Sequence, residues 1–550
     1  MSGVKRPRVS PVWLPVLVVA PLAILFFYTA LARMFVPFNL EWNEGHSAEM
    51  AMRFARGEPM YPAPESGWVP YIYAPFFHIV WGAILRLTGD LALSWGRIIS
   101  FSSTLFVMLG SGAIVFEHTR RRVPAILAAL LYLAYFRAGG YWFDIARVDS
   151  LANALAVWGC WFCVRRDAQW GSVAMGCIAL FLAAMTKQTM AVCAIVVLPI
   201  ALWRLRARAS AGLIIAGVFA ANFLKLLVDL GSTHFLHYTF ENAREHATNA
   251  SVLLPGTVTL SEFTRESAGP FSFAWNWIAR SLGTPSPIWS EVGRHVWIPF
   301  LFVGAWLVAA LICRRPPRGG AHVLILALLT VAGAASYAKF GGYVNNFLPM
   351  HLWLAIAVGL AMHGVARNLP RRFRRAVPIA LGFGLALQIL QPWNFRGRGW
   401  IDAGLLWRPS DQVPTTEDAR AHAEFLEWLR DRAEERESVW VVHQQWYGEQ
   451  TGHPTTWNVD MVRCAEYAHD PVPSGVREII TSQRYDWLIL DMPHLDYEWL
   501  PTGLDGAIRD NYDYVGVLPP LASLERRDAL LPVTGARVRP YALYMAKSRE

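Results

Sequence analysis

Long apolar runs recur along this chain, and no other feature limits its folding so strongly. Pro11 to Leu31, Leu91 to Phe116 and Ala211 to Val228 approach or exceed the roughly 20 predominantly apolar residues that a helix needs to cross a hydrocarbon core of about 30 Å. Because the runs repeat, the pattern is that of a polytopic membrane protein rather than of a soluble domain with one anchor. The first run lacks a clear small-residue cleavage site and is followed by others, so it reads as a retained helix rather than a signal peptide.

The formal net charge of +9 would suit a nucleic-acid partner, whose footprint is a basic stripe. Here the cations instead form short clusters between apolar runs, as cytoplasmic loops do. The six cysteines show neither a disulfide framework nor a zinc pattern; Cys160, Cys163, Cys177, Cys193 and Cys313 fall in or at the ends of predicted spans, and Cys464 in the polar C-terminal part.

Lys5, Arg6 and Arg8 precede the first span, at about 13–32, and place the N-terminus in the cytoplasm. The apolar stretch Tyr71 to Leu87 is the awkward one, because a crossing there would put every later basic cluster on the wrong side. It is therefore expected to lie on the outer surface as an interfacial helix, as Pro70, Pro75, His78 and Arg86 also suggest. The remaining spans are read at about 93–116, 124–140, 149–164, 171–186, 189–203, 210–230, 296–313, 321–337, 345–363 and 376–391. Every cation cluster, from Arg120–Arg122 to Arg374–Arg375, then shares one side. The expected architecture is an α-helical polytopic membrane module of about eleven transmembrane helices, residues 1–394, with an outer loop and juxtamembrane helices over 33–92.

The tail, 395–550, loses the long apolar runs. A helix is expected at Thr416 to Glu435, with Glu417 and Asp418 near its start suiting the helix dipole. Strand-like runs at Ser438 to Val442, Asp486 to Leu490, Tyr514 to Leu518 and Ala542 to Ala546 alternate with helical stretches at Gly475 to Gln483 and Leu504 to Asn511. That alternation predicts a small extracytoplasmic α/β domain without a Gly-rich phosphate loop.

This topology sends particular polar residues to the outer face: Glu41 and Glu44, then Asp144, Arg147 and Asp149, then Lys187, then Lys339 and Asn345. Ionisable groups at a membrane boundary are costly and tend to mark a working site. Carboxylates serve as general bases, and Lys or Arg stabilises charge on a leaving group. Each has a plainer reading. Glu41 and Glu44 also suit solvated loop positions, Asp149 with Arg147 suits a local pair capping a helix, and Lys187 and Lys339 suit snorkelling at span ends. Cations on the outer side nevertheless run against the charge bias. Asn345 reads more readily as a capping residue. His234 and His237 read as one face of an amphipathic segment, and the other histidines lack metal-ligand spacing.

The stretch Glu41-Trp42-Asn43-Glu44-Gly45, followed by Met52 to Gly57, Tyr61 and Tyr71-Ile72-Tyr73-Ala74-Pro75, resembles the first outer loop of GT-C type membrane glycosyltransferases. That group includes protein O-mannosyltransferases (glycosyltransferase family 39) and the aminoarabinose transferase of lipid A. Gly96-Arg97-Ile98-Ile99-Ser100, Ala146 to Leu151, Thr186-Lys187-Gln188-Thr189 and Lys339 to Phe347 also look like pieces of bacterial members, over roughly residues 10–395. Relatives commonly carry Asp-Glu where this chain has Asn43-Glu44, and an amide cannot accept a proton.

By this resemblance the chain is expected to move a sugar, hexosyl or pentosyl, from a polyprenyl-phosphate carrier to an acceptor hydroxyl outside the cytoplasm, with inversion, in the plasma (inner) membrane. The acceptor is a glycan, lipid or protein. Glu44 is the expected base, with Glu41 or Asp149 as substitutes. Arg147, Lys187 and Lys339 are expected to hold the donor phosphate, and Asn43, Tyr71, Asp144 and Asn345 to contact substrate. No metal is required, although the carboxylates could bind a divalent cation. A transporter or lipid flippase is the rival reading, but such proteins tend to place polar groups near the midplane in two related halves. A non-catalytic assembly protein is a third.

Overall fold

The computed structural model describes residues 10–64, 68–246, 248–253, 286–339, 341–391, 404–453, 457, 459–467, 474–497, 499–519, 530–535 and 539–547. Lys5, Arg6 and Arg8, the boundary at 394/395 and much of the long loop before residue 295 lie outside them.

A helix is found at each predicted span. Among the described residues, eight helical stretches are long and apolar enough to cross a membrane: Pro11–Arg33, Leu93–Thr119, Gln188–Leu205, Ala207–Asp229, Glu291–Ile312, Gly320–Tyr337, Val344–Asn368 and Arg371–Leu390. The other three predicted spans are shorter apolar helices, Arg122–Ala134, Val148–Val164 and Trp170–Ala184. In chain order the α-helices used below are α1 (Leu14–Arg33), α2 (Glu44–Arg56), α3 (Phe76–Thr88), α4 (Leu93–Thr119), α5 (Arg122–Ala134), α6 (Val148–Val164) and α7 (Trp170–Ala184).

One long helix, Leu348–Asn368, forms the centre of the bundle. Every residue from Leu348 to Met362 is buried, as expected of a helix that is apolar all round. Where lipid replaces water outside the bundle, close backbone approach through small residues drives helix association. Gly159 on α6 and Gly176 on α7 supply it: a Cβ on Gly176 would stand 2.9 Å from the Gly159 carbonyl oxygen and 2.5 Å from Cys163 Sγ.

The interfacial segment shows why its expected start was too early. The helix begins at Phe76, directly after Pro75, and ends at Gly89 in the left-handed region (φ 68°). Proline disfavours α conformation in the residue before it, so Ala74 stays outside the helix. Phe77, His78, Trp81, Gly82 and Leu85 make one buried stripe, which packs on α2.

The tail carries the expected elements. Its first helix, Thr416–Glu434, opens with a reciprocal capping box: Asp418 N donates to Thr415 Oγ1 (3.2 Å) and Thr415 N to Asp418 Oδ2 (2.7 Å). Four strands, β1 (Val439–Val441), β2 (Trp487–Leu490), β3 (Tyr512–Val517) and β4 (Ala542–Ala546), form a sheet of order β1-β2-β4-β3. β1 and β2 are parallel; β4 is antiparallel to both its neighbours. This unit shares a core with the juxtamembrane helices. Phe38, Ala51, Phe77 and Trp81 pack in one cluster with Phe425, Trp446 and Ile489. The Phe38 ring stacks on His422 with centroids 3.6 Å apart.

The bundle therefore has two unlike ends. At one, the 33–44 connection, the α5–α6 turn and the tail come together. At the other, Arg166 and Glu117 meet, Arg204 donates to the Val164 carbonyl, and Arg315 to the Arg367 carbonyl. The acidic first loop and the tail share an end, as the charge-sorted topology requires.

Gly176→Val tests the α6–α7 contact. Forcing a branched side chain between the two backbones is expected to cost about 1–3 kcal/mol, read as a lower unfolding temperature in detergent.

Candidate active site

The site begins with two buried ion pairs that shape the connection after α1. Arg33, at the end of α1, donates from Nε and Nη2 to Asp144 at 2.8 and 2.6 Å. Asp144, expected to contact substrate, is thereby committed to holding the α5–α6 turn against α1. Arg97, the fifth residue of α4, donates to Glu44 from Nε (2.9 Å) and Nη2 (2.7 Å) and to the carbonyls of Arg33, Val36 and Phe38.

Glu44 is saturated. Its remaining acceptor positions take the backbone N–H groups of Leu40 (2.7 Å) and Ala146 (2.8 Å). Burial alone would raise its pKa, but Arg97 and the two backbone donors hold it below the ordinary value. A carboxylate in that state is a poor proton acceptor, and it sits where it can brace the loop.

Glu41, one turn earlier, is the opposite case. Its Oε2 accepts from Arg147 Nη1 (3.0 Å) and Asn43 N (3.1 Å), while the buried Oε1 has no hydrogen-bond partner among the described residues. Burial pushes its pKa up to about 7, against the pull of Arg147 and with help from the neighbouring Glu44 charge.

Arg147, the residue before α6 and the partner of Glu41, lines a cleft of about 200 Å3, with Glu41 buried directly behind it. Its guanidinium lies 4.5 Å from the Trp142 ring centroid, 5.4 Å from Tyr71 and 5.5 Å from Tyr73. These rings also line the cleft, together with Trp42 and Trp499. The Asn43 amide turns its oxygen toward Arg147 Nη1 and Trp42 Nε1 (3.3 Å each) and its nitrogen toward His46 Nδ1 (2.6 Å).

A second buried pair lies beyond Tyr73. Lys187 Nζ donates to Asp149 Oδ1 at 2.6 Å, and Asn345 Nδ2 approaches the same oxygen at 3.4 Å. Asp149 Oδ2 is buried without a hydrogen-bond partner among the described residues. Lys187 Nζ stands 6.0 Å from the Tyr73 centroid, so both cations approach one aromatic ring. Lys339 is held at the rim, where its Nζ donates to the Arg244 carbonyl (2.9 Å).

The tail contributes residues that the sequence reading did not single out. Asp460, in the first turn of the helix Val459–Tyr467, faces His443 Nδ1 at 2.7 Å and His46 Nε2 at 3.5 Å. His443 Nε2 meets the Tyr497 hydroxyl. Burial opposes protonation of His443, yet Asp460 outweighs it and raises the pKa; burial holds His46 down to about 4. From the tail's last third, Thr534 N donates to the Leu40 carbonyl (3.2 Å) and Trp142 Nε1 to Thr534 Oγ1 (3.2 Å). Gly535 (φ 76°) then lies so close that a Cβ there would be 2.7 Å from Glu41 Cγ and 2.8 Å from Oε1. No motif spacing announces these contacts, because more than 400 residues of chain separate Gly535 from Glu41.

Among solved structures, apo ArnT from Cupriavidus metallidurans aligns over 96% of this chain and 97% of its own, with a TM-score of 0.52 and 15% identity. The fold is of the GT-C type. The same ArnT bound to undecaprenyl phosphate aligns with a TM-score of 0.43 at 16% identity over the same shares. The apo oligosaccharyltransferase of Archaeoglobus fulgidus gives 0.49 at 12% identity, over 91% of this chain and 73% of its own. No family model and no curated protein matches the chain. Among the described residues of this GT-C fold, no group of three His, Cys, Asp or Glu side chains could hold a metal ion.

Glu44→Gln is expected to act on stability first. It leaves Arg97 buried with a neutral partner, and breaking such a pair costs about 3–5 kcal/mol. Thermal unfolding in detergent measures it.

Proposed function

We propose that this protein is a membrane glycosyltransferase that takes a sugar from a polyprenyl-phosphate donor and places it on an acceptor hydroxyl at the non-cytoplasmic surface. The observation that carries the reading is Glu41: a buried carboxyl with one unpartnered oxygen and a pKa near 7, joined through Arg147 to an aromatic cleft. The shared fold with ArnT agrees with it.

The base role moves from Glu44 to Glu41, because Glu44 has no lone pair left to offer. A general base works best with a pKa near the operating pH. Glu41 accepts the proton as the acceptor oxygen attacks the anomeric carbon. The bond from that carbon to the phosphate oxygen breaks on the opposite face, with inversion, and its electron pair leaves on the polyprenyl phosphate. Arg147 and Lys187, both within about 6 Å of the Tyr73 ring, stabilise that growing charge. Asp149 and Asn345 orient Lys187. Tyr71, Tyr73, Trp142 and Trp499 offer faces on which a sugar ring stacks. A lipid donor suits a site at the end of a helical bundle, since its tail stays among the helices.

Purified protein incubated with polyprenyl-phosphate-linked sugars and acceptor is expected to release polyprenyl phosphate, and no release from any such donor would defeat the reading. Glu41→Gln is expected to lower the rate about 100- to 10,000-fold, the usual worth of a general base. The rate should climb as pH passes about 7, where Glu41 loses its proton. Its raised pKa has the opposite sign for stability, which declines as pH rises from the ordinary value of 4.5 through about 7. Gly535→Ala presses a methyl group on Glu41 and is expected to reduce kcat more than it changes KM.

A further inference from the structure

The end of the bundle opposite the cleft holds a groove that the transferase reading does not use. It has a volume of about 1170 Å3 and runs between the start of the first helix, the α4–α5 turn, the last turns of the central helix and the start of the helix Ala376–Leu390. Arg121, Arg122, Arg367, Arg374 and Arg375 line it, and no Asp or Glu does. None of the five pairs with a carboxylate among the described residues; Arg374 Nε, for example, donates to the Leu369 carbonyl at 3.3 Å.

The contrast with the other end is plain. There Arg33, Arg97, Arg147 and Lys187 each have their own carboxylate within 3.0 Å. The positive-inside bias explains why arginines occupy the groove's end of the bundle. It does not explain why five of them, from separate stretches of chain, face one cavity, while Arg204, Arg206 and Arg208 do not line it. Two helices also begin at the groove, at Arg122 and Ala376, and their free N–H ends add positive potential. Between the arginines the wall is mostly apolar, with Pro11, Val12, Pro124, Met362 and Pro378 beside Ser10 and His363.

We propose that this groove binds the head group of an anionic phospholipid, with the phosphate on the arginines and the glycerol and first acyl carbons along the apolar wall. The chain's own first nine residues carry Lys5, Arg6 and Arg8 and no acid, so charge complementarity calls for an anion from outside the chain. The volume far exceeds what a lone inorganic anion fills. Its place among the ends of spanning helices is the level of lipid head groups, where each Lys or Arg adds about 1 kcal/mol of attraction to anionic lipid.

The test reconstitutes the full-length protein in phosphatidylcholine nanodiscs doped with phosphatidylglycerol and counts retained lipid by native mass spectrometry. Phosphatidylglycerol should be retained in preference to phosphatidylcholine. Arg121→Gln with Arg375→Gln should weaken that preference by about ten- to thirtyfold. Replacing the same two by Lys should keep most of it, which separates lost charge from lost folding. Arg206→Gln with Arg208→Gln, which removes equal charge elsewhere, should leave it unchanged. Equal retention of the two lipids, equal loss in both Gln pairs, or displacement of the lipid by soluble glycerol phosphate would each overturn the proposal.

Discussion

The Arg97–Glu44 pair holds the candidate site in place. One guanidinium closes on one carboxylate and on three carbonyls of the connection after α1, while the same carboxylate takes backbone donors from Leu40 and from Ala146 on the far side of the site. Two charges removed from water cost several kcal/mol each, and only complete hydrogen bonding offsets that. Here completeness is reached, and it ties α2, α4 and the turn before α6 to one point. Glu41, Asn43 and Arg147 all lie within a few residues of that point, so their mutual geometry inherits its rigidity.

Two glutamates three positions apart thus acquire opposite properties. Glu44 meets four donors and stays ionised; Glu41 meets two, keeps one oxygen bare, and is pushed toward neutrality by the same burial. Environments that drive the pKa values of neighbouring carboxyls apart are how acid and base roles are divided within a site. The Asn43 amide fits this division. Where a second carboxylate would repel Glu41 and raise its pKa further, Asn43 supplies an oxygen to Arg147 and a nitrogen to His46 without adding charge.

The tail is part of the same construction. Its hydrophobic residues share a core with α2 and α3, and Asp460, Trp499 and Gly535 reach the segment from Glu41 to His46. Thr534 and Gly535 lie against Leu40 and Glu41, next to the carboxyl oxygen that does not meet Arg147. The acceptor, on the transferase reading, therefore enters a space built from both parts of the chain.

Hydropathy was enough to locate a helix at each long apolar run and most elements of the tail, because those are set by local composition, though not the helices Gln445–Gln450 and Val459–Tyr467. Charge sorting gathered Glu41, Arg147, Asp149, Lys187 and Asn345 on one face, and the structure brings them together as two buried groups, Glu41 with Arg147 and Asp149 with Lys187 and Asn345, that share the Tyr73 ring. What local pattern could not hold was the pairing. Which glutamate would meet Arg97 and which Arg147, and that Asp460, His443 and Gly535 would complete the walls, depends on contacts between residues tens to hundreds of positions apart. A carboxylate's proton affinity is fixed by how many donors surround it after packing, and only the tertiary structure decides that number.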